Sequence, residues 1–303
     1  MSANELGYDG KVVIITGAGG GLGRQHALLM ASRGALVVVN DLGGAVDGSG
    51  PKSDADKGAA AKVVDEIKAL GGEAVADTNS VATPEGGAAV VQTAIDTYGR
   101  VDVVVNNAGI LRDKAFHNLE PAMTDAVIDV HLRGAFHVTQ PAWRVMREQG
   151  YGRIISTSSA AGIFGNFGQA NYGAAKMGLV GFTHVLALEG AKYNIKANAI
   201  APLALTRMTE DLLGSLGDKL QPQLVSPLVA YLAHEDCPCT GQVFSVGGGR
   251  VAQVFIGEAP GYFKADLTME DVRDNWATIT DHDGYTTPQS VAEETAMFLP
   301  YLK

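Results

Sequence analysis

The chain has 303 residues, 46% of them hydrophobic and 18% charged, enough to bury one large core. Its 23 Lys and Arg against 33 Asp and Glu give a formal charge of -10, which argues against a nucleic-acid surface and leaves no polybasic patch for an anionic membrane. No run approaches the roughly 18 apolar residues of a membrane span, and residues 1–10 lack a basic stretch followed by an apolar one, so a cytoplasmic location is expected.

The first predicted strand, 11–16 (KVVIIT), runs into Gly17-Ala18-Gly19-Gly20-Gly21-Leu22-Gly23 and then a helix reaching Met30. Strand, glycine turn and helix in that order make a phosphate cradle, because the backbone can approach an anion and the helix start offers it N–H groups. Gly17, Gly21 and Gly23 are the candidate residues. A second strand, 35–40, ends at Asp41, where a carboxylate can accept both hydroxyls of an adenosine ribose and repel a 2′-phosphate, favouring NAD over NADP. The same position also suits an ordinary strand-end or helix-capping aspartate. The polar stretch 42–57 is longer than most connections and is expected either as a surface loop near the adenine end of the cofactor or as disorder. A helix over 59–70, a strand over 73–76 and a helix over 84–98 follow, and this alternation predicts a parallel sheet wound on both faces. Asp77 is expected as a solvated loop acid, with a contact to the cofactor's adenine as the alternative.

A fourth strand, 101–105, leads into Asn106-Asn107-Ala108-Gly109, where small residues at a strand's carboxyl end let backbone approach a ligand; Asn107, Ala108 and Gly109 are candidates for it. A long helix over 122–148 precedes a fifth strand, 153–157, which ends in Ser158-Ser159. The next helix is placed with Tyr172 at its start. Tyr172 and Lys176, four positions apart, project from one helix face. A free phenol titrates near about 10 and a neighbouring ammonium favours the phenolate, so Tyr172 is a candidate general acid/base with its pKa lowered by Lys176. The spacing alone equally fits a core tyrosine beside a solvated lysine. Strands at 196–200 and 242–246 complete the expected architecture: an α/β, doubly wound parallel seven-stranded sheet (Rossmann fold), a single domain with core 10–250 and a C-terminal extension 251–303. Cys237 and Cys239 flank Pro238, too close for zinc spacing, and no histidine pair sits at ligand distance, so no metal is expected.

TGAGGGLG, NNAG, Ser159 thirteen positions before Tyr172, YGAAK, and Pro202 with Thr206 occur in order over 10–250 and resemble the short-chain dehydrogenase/reductase family. More narrowly, VVVNDLGG, VDVVVNNAGILRD, VHLRGAF, GNFGQANY and the tail over 269–294 resemble the (3R)-hydroxyacyl-CoA dehydrogenase domains of peroxisomal multifunctional enzymes. The resemblance implies that Ser159 holds the substrate oxygen, Tyr172 exchanges its proton and Lys176 holds the nicotinamide ribose. It implies further NAD contacts from Leu22, Asn79, Ser80, Leu205 and Thr206, and a homodimer or homotetramer paired through the helices around 122–148 and 172–193. Within a lid over 205–227, Met208, Leu212, Leu213 and Leu216 either line an acyl or steroid pocket or pack as an amphipathic helix. His131 stands where the family usually has a catalytic asparagine, and either orders a water chain or simply packs. Asn79 stands where the family often has an aspartate. The implied reaction is NAD-linked oxidation of a (3R)-3-hydroxyacyl-CoA to the 3-oxoacyl-CoA; a steroid alcohol is the alternative substrate, and a non-catalytic NAD-binding regulator the alternative class.

Overall fold

The computed structural model describes residues 5–45, 47–49, 58–206 and 214–301. Most of the expected loop over 42–57 and the lid residues Met208, Leu212, Leu213 and Leu216 lie outside the residues or side chains so described. The chain divides into two compact units, 1–253 and 254–303.

The first unit is built on an eight-stranded sheet in the order β3-β2-β1-β4-β5-β6-β7-β8. The strands are β1 Val12–Thr16, β2 Leu36–Asn40, β3 Glu73–Asp77, β4 Val103–Asn106, β5 Gly152–Thr157, β6 Ile195–Pro202, β7 Val243–Gly247 and β8 Arg250–Val254. Neighbours from β3 to β7 pair in parallel. The eighth strand corrects the expectation of seven. Gly248 (φ 56°) and Gly249 (φ 83°) reverse the chain directly after β7, and the short, largely exposed RVAQV strand that follows carries little pattern to announce it.

All five residues of β1 are buried because both faces of the sheet are covered. Val13 and Ile15 join one cluster with Val37, Val39, Val103 and Val105, while Val12 and Ile14 join the other with Val38, Val104 and Ile154. Alternate side chains point to opposite faces, so an unbroken β-branched run is what a doubly covered strand requires. Each such side chain contributes about 1.5–3 kcal/mol on burial. The first face carries helices α1 (Gly21–Ser32) and α2 (Ala59–Ala69); the second carries α3 (Pro84–Tyr98) and the helical stretch that starts at Pro121. Helix α3 shows how local sequence sets ends: the Thr83 hydroxyl accepts from Gly86 N at 3.1 Å, Pro84 occupies the first turn and Gly99 stops it in the left-handed region.

The long helix expected over 122–148 is interrupted. Helix α4 (Pro121–Ile128) passes through a π-helical turn, Asp129–Arg133, into α5 (Gly134–Gln149). A short helix, α6 (Ala160–Phe164), then precedes α7 (Ala170–Gly190), which starts two residues ahead of Tyr172. Helix α8 spans Ser226–Ala233. Asp77 is also corrected: it is 4% exposed and accepts from Asn40 Nδ2 (2.7 Å), Asn79 N (3.0 Å), Asn79 Nδ2 (2.8 Å) and Thr93 Oγ1 (2.7 Å). A strand-end acid with four donors ties β2, β3 and α3 together.

In the second unit, α9 (Met269–Asp274), α10 (Trp276–Ile279) and α11 (Val291–Phe298) are short, and α9 opens on a capping box in which Thr268 and Asp271 satisfy each other's backbone N–H groups. Phe255 stacks on Tyr285 and Phe263 on Tyr301. Among the described residues, no helix is long and apolar enough to cross a membrane.

Candidate active site

Strand order reverses at β1, which pairs with β2 on one side and β4 on the other, and an open α/β sheet leaves a crevice beyond the strand ends at such a point. A cleft occupies that place. Its walls include Gly17, Gly21, Leu22, Asp41, Asn79, Ser80, Asn107, Ala108, Gly109, Ser159, Tyr172, Lys176 and Thr206 among the residues singled out from sequence, and His131, Ser158, Ile110 and the 42–45 loop besides. Two of the singled-out residues are not on the wall. Gly23 lies beneath it, where an added Cβ would sit 2.4 Å from Gly17 O. Leu205 gives its backbone N–H to Leu220 O and packs against Gly217.

The floor is stitched from the ends of β1 and β4. Thr16 Oγ1 accepts from Asn107 N (3.0 Å) and Ala108 N (3.1 Å), and Asn107 Nδ2 donates to Thr16 O (2.9 Å) and Gly17 O (3.1 Å). Gly17 has φ 64°, and a Cβ there would lie 2.8 Å from Ala108 Cα, so only glycine lets the turn cross this close. Helix α1 then follows the N-cap Gly20 with no side-chain cap and no acid in its first turn, which leaves its N-terminal field for a bound anion. Asp41 accepts from Gly19 N and Gly43 N, both at 2.8 Å, and caps no helix; it fixes the glycine turn and borders the cleft. A cradle without its own anion beside a fixed carboxylate fits the phosphates and ribose of a dinucleotide.

The opposite wall carries the titratable groups. Ser159 caps α6, accepting from Ala161 N at 3.2 Å. Tyr172 is oriented by its neighbour Asn171, whose Oδ1 accepts from Tyr172 N (2.8 Å) while its Nδ2 reaches Arg112 O (3.0 Å) and Met123 O (3.3 Å). Lys176 is 3% exposed, donates from Nζ to Thr157 O at 2.5 Å, and lies 5.5 Å from the Tyr172 ring centre. Ser158 Oγ donates to Lys176 O at 2.7 Å and so fixes that turn of α7 to the end of β5. Ser159, Tyr172 and Lys176 therefore converge on one cleft from α6 and α7.

Burial lowers the Lys176 pKa to about 7, so its charge is poised near neutrality. The expectation that Lys176 depresses the Tyr172 pKa is corrected. Burial raises it above the usual phenol value, a hydrogen bond with Ser159 works against that rise, and Asp113 adds to it. The ammonium is committed to the Thr157 carbonyl, and burying a phenolate costs more than the serine returns.

His131, in the π turn, is 3% exposed and packs edge-on to Tyr172 with ring centres 5.2 Å apart. Its Nε2 lies 2.9 Å from Ile110 N and 2.8 Å from Ile110 O, and its Nδ1 is buried with no partner in the structure. Burial, with the nearby Lys176 charge, holds its pKa well below the usual histidine value, so the ring is neutral. His131 thus fixes the backbone just after Gly109. Asn171 and Ser158 were not singled out from sequence, whereas His131 was noted at the position of the family's asparagine. Asn171 adjoins Tyr172 and Ser158 adjoins Ser159, but only the fold shows what they hold.

Residues 11–214 match the family model for short chain dehydrogenases. The chain belongs to that family. The dehydrogenase is accordingly an oxidoreductase acting on a CH–OH group. It is 52% identical to a short-chain type dehydrogenase/reductase of Mycobacterium tuberculosis, over 92% of this chain and 96% of that protein. It is 51% identical to the peroxisomal multifunctional enzyme type 2 of Mus musculus, over 97% of this chain but 40% of the mouse protein. A hydroxyacyl-CoA dehydrogenase of Mycobacterium tuberculosis is 38% identical over 95% of this chain and 93% of its own length. Among solved structures, full-length peroxisomal multifunctional enzyme type 2 from Drosophila melanogaster superposes with a TM-score of 0.82 at 41% identity, covering 98% of this chain and 50% of that one. A 7α-hydroxysteroid dehydrogenase complexed with NADH and 7-oxo glycochenodeoxycholic acid matches with a TM-score of 0.72 at 30% identity, over 82% of this chain and 97% of its own. The chain thus spans half or less of the two multifunctional enzymes.

Proposed function

We propose that the chain is a NAD-dependent dehydrogenase that interconverts a (3R)-3-hydroxyacyl-CoA and the 3-oxoacyl-CoA. The observation that carries the reading is the convergence of Ser159, Tyr172 and Lys176 on the cleft that also holds the glycine turn and Asp41. The relatives, two of them multifunctional enzymes and one named as a hydroxyacyl-CoA dehydrogenase, support the substrate class.

A nicotinamide dinucleotide bound along the glycine turn supplies the hydride acceptor. Asp41 receives the adenosine ribose hydroxyls and excludes a 2′-phosphate, and Lys176 binds the second ribose. Ser159 holds the substrate oxygen. Tyr172 takes the hydroxyl proton during oxidation and returns it to the carbonyl oxygen during reduction. Its raised pKa keeps it protonated at neutrality, so it stands ready as the acid for reduction. The test is a substrate panel with both cofactors: turnover of a (3R)-3-hydroxyacyl-CoA with NAD exceeding that of a 17β-hydroxysteroid supports the reading. The reverse order favours a steroid dehydrogenase, and NAD binding without hydride transfer favours a regulator.

We propose further that copies pair through the outer faces of α5 and α7 as a homodimer or homotetramer. Phe136, Val185 and Leu188 are each at least half exposed there, and the Phe136 and Phe182 rings lie 4.3 Å apart. Light scattering at micromolar concentration should report an oligomer, and Leu188→Asp should shift it toward monomer; a monomeric parent chain overturns the pairing.

A further inference from the structure

Two thiols sit away from the cleft, and nothing in hydride transfer uses them. Cys237 and Cys239 flank Pro238 in the loop that joins α8 to β7. This loop lies against Lys196, Ala197 and Asn198, near the amino end of β6, whereas the cleft lies beyond the carboxyl ends of the strands. The two sulfurs are 3.5 Å apart. Cys237 is fully buried and Cys239 is partly exposed.

The loop that carries both thiols is tied to β6. Asn198 Nδ2 donates to Cys239 O at 3.1 Å, Asn198 Oδ1 accepts from Gln242 N at 3.1 Å and faces Cys239 Sγ at 3.7 Å, and Ala197 N donates to Thr240 Oγ1 at 3.0 Å. Lys196 Nζ donates to the Cys237 carbonyl. The spacing is that of neighbours in van der Waals contact, within about 1.5 Å of the roughly 2.05 Å of a disulfide bond. Among the described residues no third metal-ligating side chain joins the pair, so the chemistry available is that of two thiols.

We propose that Cys237 and Cys239 form a reversible dithiol–disulfide site, oxidised by a peroxide and reduced by a small thiol. The pair gives up its first proton readily: the Cys239 S–H donates to the Cys237 sulfur and, with Lys196 and Arg153 nearby, lowers the Cys237 pKa to about 6, while the second proton is held more tightly. In the proposed step the proton between the two sulfurs passes from Cys239 to Cys237, which puts the thiolate on the sulfur that solvent reaches. Peroxide oxidises Cys239 to the sulfenic acid and leaves as one water. Cys237 then attacks the Cys239 sulfur, forming the S–S bond and releasing the sulfenic oxygen as a second water; two thiols are oxidised and one peroxide reduced.

The purified chain is treated with hydrogen peroxide, denatured, alkylated with iodoacetamide and weighed intact and as peptides. The expected result is a loss of two hydrogen atoms with neither cysteine alkylated, reversed by dithiothreitol. In Cys239→Ser that loss disappears while NAD-linked turnover stays as in the parent chain. Phenylarsine oxide is a second probe that needs no oxidation, since it condenses with two adjacent thiols and releases one water. It should add once per parent chain and not to Cys237→Ser or Cys239→Ser. Both cysteines remaining alkylatable after peroxide, sulfinic acid on one cysteine alone, or a disulfide between chains would each overturn the proposal. The mass and arsenical readouts do not depend on the substrate assignment.

Discussion

Tyr172 is fixed by three different contacts: its backbone N–H on Asn171, its ring against His131, and a hydroxyl that interacts with Ser159. Because burial raises its pKa, the base form is scarce in the free enzyme at pH 7 and grows about tenfold per pH unit. The kcat/KM for oxidation should therefore climb between pH 7 and pH 9, since that parameter reports ionisations of the free enzyme. Tyr172→Phe should remove the climb and about 10²- to 10⁴-fold of the rate while leaving NAD affinity, read by calorimetry, near the parent value. Near-normal turnover in that variant would remove the phenol from the mechanism. Asp41 makes a separate prediction. Its carboxylate is already held by Gly19 N and Gly43 N, so Asp41→Ala should loosen the turn and reduce discrimination against NADP together. An unchanged ratio of NAD to NADP efficiency would show that other residues set it.

At the scale of elements, the site depends on the junction between the end of β4 and the π turn that interrupts the α4–α5 helix. An added Cβ at Gly109 would sit 2.3 Å from His131 Cε1, and the ring has nowhere to go because it is pinned between Ile110 and Tyr172. Gly109→Ala should cost about 1–3 kcal/mol of stability by overpacking and lower kcat more than it changes KM. Adding His131→Ala should return part of the stability, and a double mutant no better than the sum of the single changes would place the strain elsewhere. The parallel sheet and its order of elements were legible because β-branched runs and glycine turns are local signals. The π turn was not, since one extra residue in a helical turn barely alters an apolar pattern that stays helical on both sides. Asp77 was misread for a related reason: its buried state is created by Asn40, Asn79 and Thr93, which converge on it only in the fold. Ser159, Tyr172 and Lys176 were legible as a set, whereas the direction of the Tyr172 shift depends on burial that spacing does not encode.

Across the whole molecule, the two covered faces of the sheet bury groups whose charged forms the folded chain disfavours, and this sets its response to acid. His26 on α1 is fully buried, its Nδ1 lies 2.8 Å from Ser226 Oγ at the start of α8, and its Nε2 is buried without a partner. Burial lowers its pKa to about 3. Below the ordinary histidine value of about 6.5 the unfolded chain takes up a proton that the folded chain refuses, so stability falls as pH drops from there toward 3. Buried His131 acts in the same sense, and Lys176, protonated in the unfolded chain up to about 10.5, adds stability only as pH rises above about 7. The chain's pI of about 5.1 restricts the usable range, because association near zero net charge would mask unfolding. Urea midpoints at pH 7 and pH 5.5 lie above that limit. The parent chain should lose stability across this interval, and His26→Gln, which cannot titrate, should lose about 1 kcal/mol less at an unchanged m value. If parent and variant lose the same amount, the buried imidazole takes a proton inside the folded chain, and the packing of α1 on α8 is looser than their contacts imply.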